Sequence, residues 1–272
     1  MSAARAMRLL GSELAMIFRR RRNVALLTIL GLVPVLIAVA VKVSGRNRPG
    51  GSIFGGITDN GIFAALAALL VVGPLFLPLV VSVVAGDAIA GEANAGTLRY
   101  LLTVPVGRSR LLATKLVAVV VWCVACVTVI VVLGALAGLA LFPSGELTLL
   151  SGRTVSYTEG LGRLALAGAY VAATVVAVAA IGLFVSTMTE VPIAAMAATL
   201  TLTVVSQVAD AVPQLSAIHP WLPSHYWMQW VDLLRDPMIT SGIWHGLLVT
   251  LGYVAFFVAL AWARFTGKDV TS

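Results

Sequence analysis

The sequence predicts an all-α integral membrane protein with six membrane-crossing helices, and three observations support this. Of the 272 residues, 60% are hydrophobic and only 11% are charged, whereas a soluble domain carries about 25% charged residues. Apolar runs of twenty or more residues recur along the chain, each long enough to cross roughly 30 Å of hydrocarbon as a helix. The runs are continuous, not short and alternating as barrel strands would be.

The elements are read in chain order. Residues 1–22 form an amphipathic interfacial helix. Met7, Leu10, Leu14 and Ile17 recur every three or four positions, and Arg19 to Arg22 hold its end in the headgroup layer. The first span covers 24–43, with Pro34 as a kink, and a Gly-rich polar loop follows. The second span, 61–85, carries Pro74 and Pro78 one turn apart, so it is expected to bend or unwind locally. Residues 86–115 form a polar segment with its own helical pattern. The third span, 116–142, contains Gly134 and Gly138 in a G-x-x-x-G spacing that lets helices approach closely. The fourth span is 164–185. A short turn with Thr189 and Pro192 makes it the antiparallel neighbour of the fifth, 191–208. Trp221, Tyr226, Trp227 and Trp230, set among prolines, predict short re-entrant or interfacial helices before the sixth span, 243–263. The whole chain, 1–272, reads as one transmembrane domain.

Charge sets the orientation. With the N-terminus inside, twelve of the 18 Lys and Arg residues fall on cytoplasmic segments, so both termini are expected in the cytoplasm. The net charge of +7 is therefore an orientation signal and predicts no nucleic-acid partner. Cys123 and Cys126 lie in mid-span, where a C-x-x-C pair reads as packing and not as a redox site. His219, His225 and His245 lack metal-ligand spacing in the sequence, so no metal is expected. No P-loop pattern occurs, and neither paired intramembrane carboxylates nor a Ser/His/Asp arrangement can be read. No catalytic residue, directly bound cofactor or enzymatic activity is expected of the chain itself. Thr199, Thr203, Ser206 and Asp210 share one face of the fifth span. Two readings of that face stay open. It borders a translocation path or dimer seam, or each hydroxyl bonds its own backbone one turn back.

The segment 86–115 is the most specific feature. It contains Gly86, Asp87, Gly91, Glu92, Gly96, Thr97, Leu98, Leu101, Leu102, Pro105 and Arg108, followed by Arg110, Leu111, Leu112 and Lys115. This pattern resembles the first intracellular loop of type-2 ATP-binding-cassette (ABC) transporter permease subunits. Asn94 and Arg99 depart from it, standing where the family often has acids. Independently of the resemblance, an apolar ridge of Leu98, Leu101 and Leu102 with flanking charge suits a helix that lies in a partner's groove.

The resemblance implies a coupling helix that docks on a separate ATPase through Asp87, Glu92, Gly96, Thr97, Leu98, Arg99, Leu101, Leu102, Pro105 and Arg108. It implies an exporter permease in a bacterial cytoplasmic membrane, moving a lipophilic substrate. The partners would be two copies of a cytoplasmic ABC ATPase, which would bind ATP and Mg, a second permease copy or homologue, and membrane lipid. An ABC-type assembly or maturation factor would carry the same segment. An ion-coupled secondary transporter would need mid-depth charges or a repeat, and neither is visible.

Overall fold

The computed structural model describes residues 3–44, 60–96 and 107–267. It is helical almost throughout. In chain order the helices are α1 (Ala3–Arg19), α2 (Arg21–Ser44), α3 (Ile62–Val72), α4 (Phe76–Asn94), α5 (Arg108–Leu141), α6 (Tyr157–Met188), α7 (Pro192–Ala211) and α8 (Ser241–Gly267). A two-residue hairpin, β1 (Leu147–Thr148) with β2 (Thr154–Val155), precedes α6. Three 3-10 helices, Pro213–Leu215, His219–Trp221 and Gln229–Leu234, join α7 to α8. Among the described residues, α2, α4, α5, α6, α7 and α8 are each long and apolar enough to cross a membrane.

The second span differs in form from a single helix over 61–85. It is two helices, α3 and α4, separated at Gly73–Leu75. Pro74 has no amide to donate, so the ladder cannot run through it. Pro78 is absorbed within α4, where the Ser82 hydroxyl donates to its carbonyl at 2.7 Å. Residues 86–94 continue α4, and 108–115 are the first turns of α5, so much of the polar segment is regular helix.

Packing follows the small residues. Gly134 faces Ala65, where an added Cβ would come within 2.6 Å of backbone, and Gly138 lies against the Gly61 carbonyl. The G-x-x-x-G pair thus seats α5 directly on α3. Asn60 fixes the same corner: its Oδ1 accepts from the Ile62 amide at 2.9 Å and its Nδ2 donates to the Gly145 carbonyl at 2.8 Å. α6 is the most enclosed of the long helices and packs against α4, α5, α7 and α8. Cys123 and Cys126 are free thiols buried in the core beside Trp122.

The end of the bundle opposite residue 94 is tied by Arg163, a buried cation near the start of α6. Its guanidinium donates to the Leu233 and Arg235 carbonyls at 2.7 and 2.8 Å and pairs with Glu159 at 2.7 Å. It thereby caps the Gln229–Leu234 3-10 helix together with the Leu150 amide, which donates to the Leu234 carbonyl at 3.0 Å. Thr189 accepts from the Val191 amide at 3.1 Å, one position before α7, while Val191 itself is the N-cap.

Candidate functional site

One end of the bundle gathers the end of α4, the start of α5, the amphipathic α1, the start of α2 and the end of α8. Four of the ten residues expected to couple to an ATPase lie at this end. Thr97, Leu98, Arg99, Leu101, Leu102 and Pro105 lie outside the described residues. Asp87, Glu92, Gly96 and Arg108 lie within them.

Gly96, two residues past the end of α4, has φ at +69°, a left-handed conformation that glycine adopts without strain. Twelve residues on, Arg108 opens α5 and donates to the Thr266 carbonyl at 2.9 Å, while Trp262 Nε1 donates to Ser109 Oγ at 2.9 Å. The start of α5 is therefore fastened to the last turns of α8.

The two acids face inward. Asp87 pairs with Arg20 and, at 3.0 Å, with Arg22, so it clamps the junction of α1 and α2 to α4. Glu92 is 7% exposed and accepts from Lys115 Nζ at 2.5 Å. Lys115 also meets Glu13 of α1 at 3.3 Å. Glu92, expected to take part in coupling to the ATPase, lies in an internal cage that joins α1, α4 and α5. The reason is geometric. Residue 92 is one α4 turn beyond Ala88, still in the packed part of the helix, and faces the buried first turns of α5. Three acids and three bases line this region, so the local charge balances, as buried ions require. A polar recess of about 30 Å³ among Glu13, Arg20, Asn23, Asp87, Glu92 and Lys115 has room for a water.

Two residues here were not singled out from the sequence. Glu13 falls three residues after Leu10, one before Leu14 and four before Ile17, on the apolar stripe of α1. An acid on such a stripe is a signal that it has a buried partner. Ser186 of α6 inserts its hydroxyl beside the backbone of α4. The hydroxyl donates to the Gly86 carbonyl at 2.7 Å and accepts from the amides of Ile89 and Ala90 at 3.0 and 2.8 Å. Nothing local in S-T-M-T-E marks it out. Gly86 itself lies where a side chain would meet the α7 backbone at Met196, with a Cβ only 2.7 Å from its nitrogen. The base of α4 is thus held by α1, α2, α6 and α7 together.

On the fifth span, Thr199, Thr203 and Ser206 are buried, and this face packs toward α4 and α6. Thr199 and Thr203 donate to the carbonyls of Ala195 and Thr199, one turn back, at 2.8 and 2.9 Å. Ser206 bonds Ser224 at 2.6 Å, and Asp210 bonds His225 Nδ1 at 2.6 Å. The upper part of this face therefore holds the 3-10 segment in place, while its lower part satisfies itself.

The fold defines the class: a multi-pass, all-α integral membrane protein with five helices joined at one end. The chain belongs to the DUF2705 family of proteins of unknown function, which it matches over residues 35–271. Over 86 residues it is 35% identical to a probable ABC transporter permease protein NosY of Stutzerimonas stutzeri, a stretch covering 32% of this chain and 31% of that protein. Over 66 residues it is 38% identical to a probable ABC transporter permease protein NosY of Pseudomonas aeruginosa, covering 24% of each. The matched stretches thus span a third or less of these curated relatives.

Proposed function

We propose that this chain is the membrane-spanning permease subunit of a type-2 ABC exporter, driven by ATP hydrolysed on separate nucleotide-binding subunits. The observation that carries the reading is the Gly86–Lys115 segment, whose G-E and G-T-L pattern sits between two long apolar helices. The partial likeness to proteins named as ABC permeases supports it. These 272 residues contain no P-loop, so in this reading the motor lies outside them.

In this reading residues 97–106 contact the ATPase, and the ends of α4 and α5 carry the motion inward. The Glu13–Glu92–Lys115 cage and the Asp87–Arg20–Arg22 clamp make these ends one rigid unit with α1. A push on the segment then moves four helix ends together, as a two-state packed interface requires. The basic residues favour a cytoplasmic location for this end. Among the described residues, Arg19 to Arg22, Arg108, Arg110, Lys115 and Arg264 cluster here, against Lys42, Arg153, Arg163 and Arg235 at the other end. Two permease copies, identical or related, would pair with two ATPase copies, and the cargo would be lipophilic.

The test is reconstitution with a P-loop ATPase encoded beside this chain. Leu101→Asp places a charge on the apolar ridge and is expected to abolish ATPase binding and transport-coupled hydrolysis. Wild-type binding and hydrolysis by that variant would refute the assignment of the ridge.

A further inference from the structure

We propose that Asp210, His219 and His225 form a binding site for a divalent transition-metal ion, of the zinc or copper class, at the end of the bundle away from residue 94. Candidate ligand atoms from all three side chains lie within 4.8 Å of one another. The two imidazole rings are 5.8 Å apart between centroids. A tetrahedral ion with bonds of about 2.0–2.1 Å brings its ligand atoms to roughly 3.3 Å apart, so closure needs side-chain movement of an ångström or so and no refolding.

His219 has the hydrogen-bond support that a metal-bound histidine uses. His219 Nε2 lies 3.1 Å from the Val212 carbonyl, which can only accept. That nitrogen therefore carries the proton, and in the neutral ring Nδ1 holds the lone pair. Donation of the distal N–H to a backbone carbonyl is the usual support for a metal-bound histidine. His225 is gripped on both sides. Its neighbour Ser224 bonds Ser206 of α7 at 2.6 Å, and the carbonyl of its other neighbour, Tyr226, accepts from Tyr170 of α6 at 2.7 Å. Asp210 supplies the carboxylate; it accepts from His225 Nδ1 at 2.6 Å, and an ion entering between the two releases that proton. Two imidazoles and one carboxylate suit zinc, copper or nickel, and poorly suit magnesium or calcium.

The site is accessible and incomplete in the way a binding or transfer site is. The side chains of Asp210 and His225 are 26% and 30% exposed. Three protein ligands leave at least one position for water or a ligand atom from another molecule. The linear sequence hides this arrangement. Asp210 is on α7, His219 opens a 3-10 helix and His225 lies in the turn that follows, and the turns after α7 fold them back on one another.

The experiment uses the full chain in nanodiscs, purified on a tag without histidine and stripped with chelator. Calorimetric titration with Zn²⁺ is expected to show one saturable site per chain. His219→Ala, His225→Ala and Asp210→Asn should each weaken it tenfold or more. His245→Ala is expected to bind as wild type, since His245 Nδ1 instead faces its own helix at the Ser241 carbonyl, 2.7 Å away. Titration of the unmodified chain with Co²⁺ should give saturable visible absorption, a readout that no folding defect in a variant can affect. No saturable Zn²⁺ binding, no Co²⁺ absorption, or unchanged affinity in the well-folded His219 and His225 variants would overturn the proposal.

Discussion

Lys115→Met isolates the cage at the base of α4 and α5. The side chain of Lys115 is 2% exposed, and those of Glu13 and Glu92 are 7% and 8% exposed. Removing the cation takes away the one charge that both the Glu13 and Glu92 carboxylates contact. Breaking a buried pair from one side costs about 3–5 kcal/mol. The escape route is protonation. From an ordinary carboxyl pKa near 4.3, with about 1.36 kcal/mol per unit, neutralising one group at pH 7 costs about 3.7 kcal/mol. The two figures agree, so a loss of about 4 kcal/mol is expected. For a chain of this size that is a fall in Tm of about 8–16 °C, at roughly 2–4 °C per kcal/mol. The assay is thermal unfolding of detergent-solubilised protein.

The sign with pH follows. The variant's stranded carboxylates are destabilising when ionised, so lowering the pH from 7 to 5.5 should recover about 2 kcal/mol relative to wild type. The triple variant Glu13→Gln, Glu92→Gln, Lys115→Met removes all three charges and should regain most of the loss. A fall in Tm under about 2 °C, or a triple variant as unstable as the single one, would refute the cage as a buried ionic unit.

Other positions give independent checks. Gly138→Ala places a methyl group against the Gly61 carbonyl and should destabilise by about 1–3 kcal/mol or more in thermal unfolding. Gly11→Ala, with nothing within 4 Å of the added carbon, should be neutral or stabilising by up to about 1 kcal/mol. Ser186→Ala removes the hydroxyl that the Ile89 and Ala90 amides use; a loss of about 1–3 kcal/mol is expected, with faster hydrogen exchange at those two amides. Arg163→Met strands the Leu233 and Arg235 carbonyls and should raise exchange across 229–236 while leaving 86–96 unchanged.

Much of the fold was legible because membrane crossing is written in the simplest code, long apolar runs broken by polar ones. The six long helices follow from it, while Gly134 and Gly138 marked a close approach without naming α3 as the partner. Pro74 announced a break, but its conversion into two helices depends on which carbonyls find new partners, and that is decided in three dimensions. The inward turn of Glu92 was hidden for a related reason. A motif fixes which residues stand together, not which face of a continuing helix they occupy. Lys115, 23 residues away in sequence, determines that face. The Asp210–His219–His225 cluster was illegible because a helix end, a 3-10 helix and a turn bring it together within a few residues of chain.

The most direct test of the central claim is a photo-crosslinking residue placed at position 101 in living cells, with the adduct identified by mass spectrometry. The account predicts a covalent link to a cytoplasmic polypeptide that contains a P-loop, lost on Gly96→Pro, which reshapes the approach to the segment. Labelling of residue 101 from the extracytoplasmic side, or adducts to lipid alone, would contradict it.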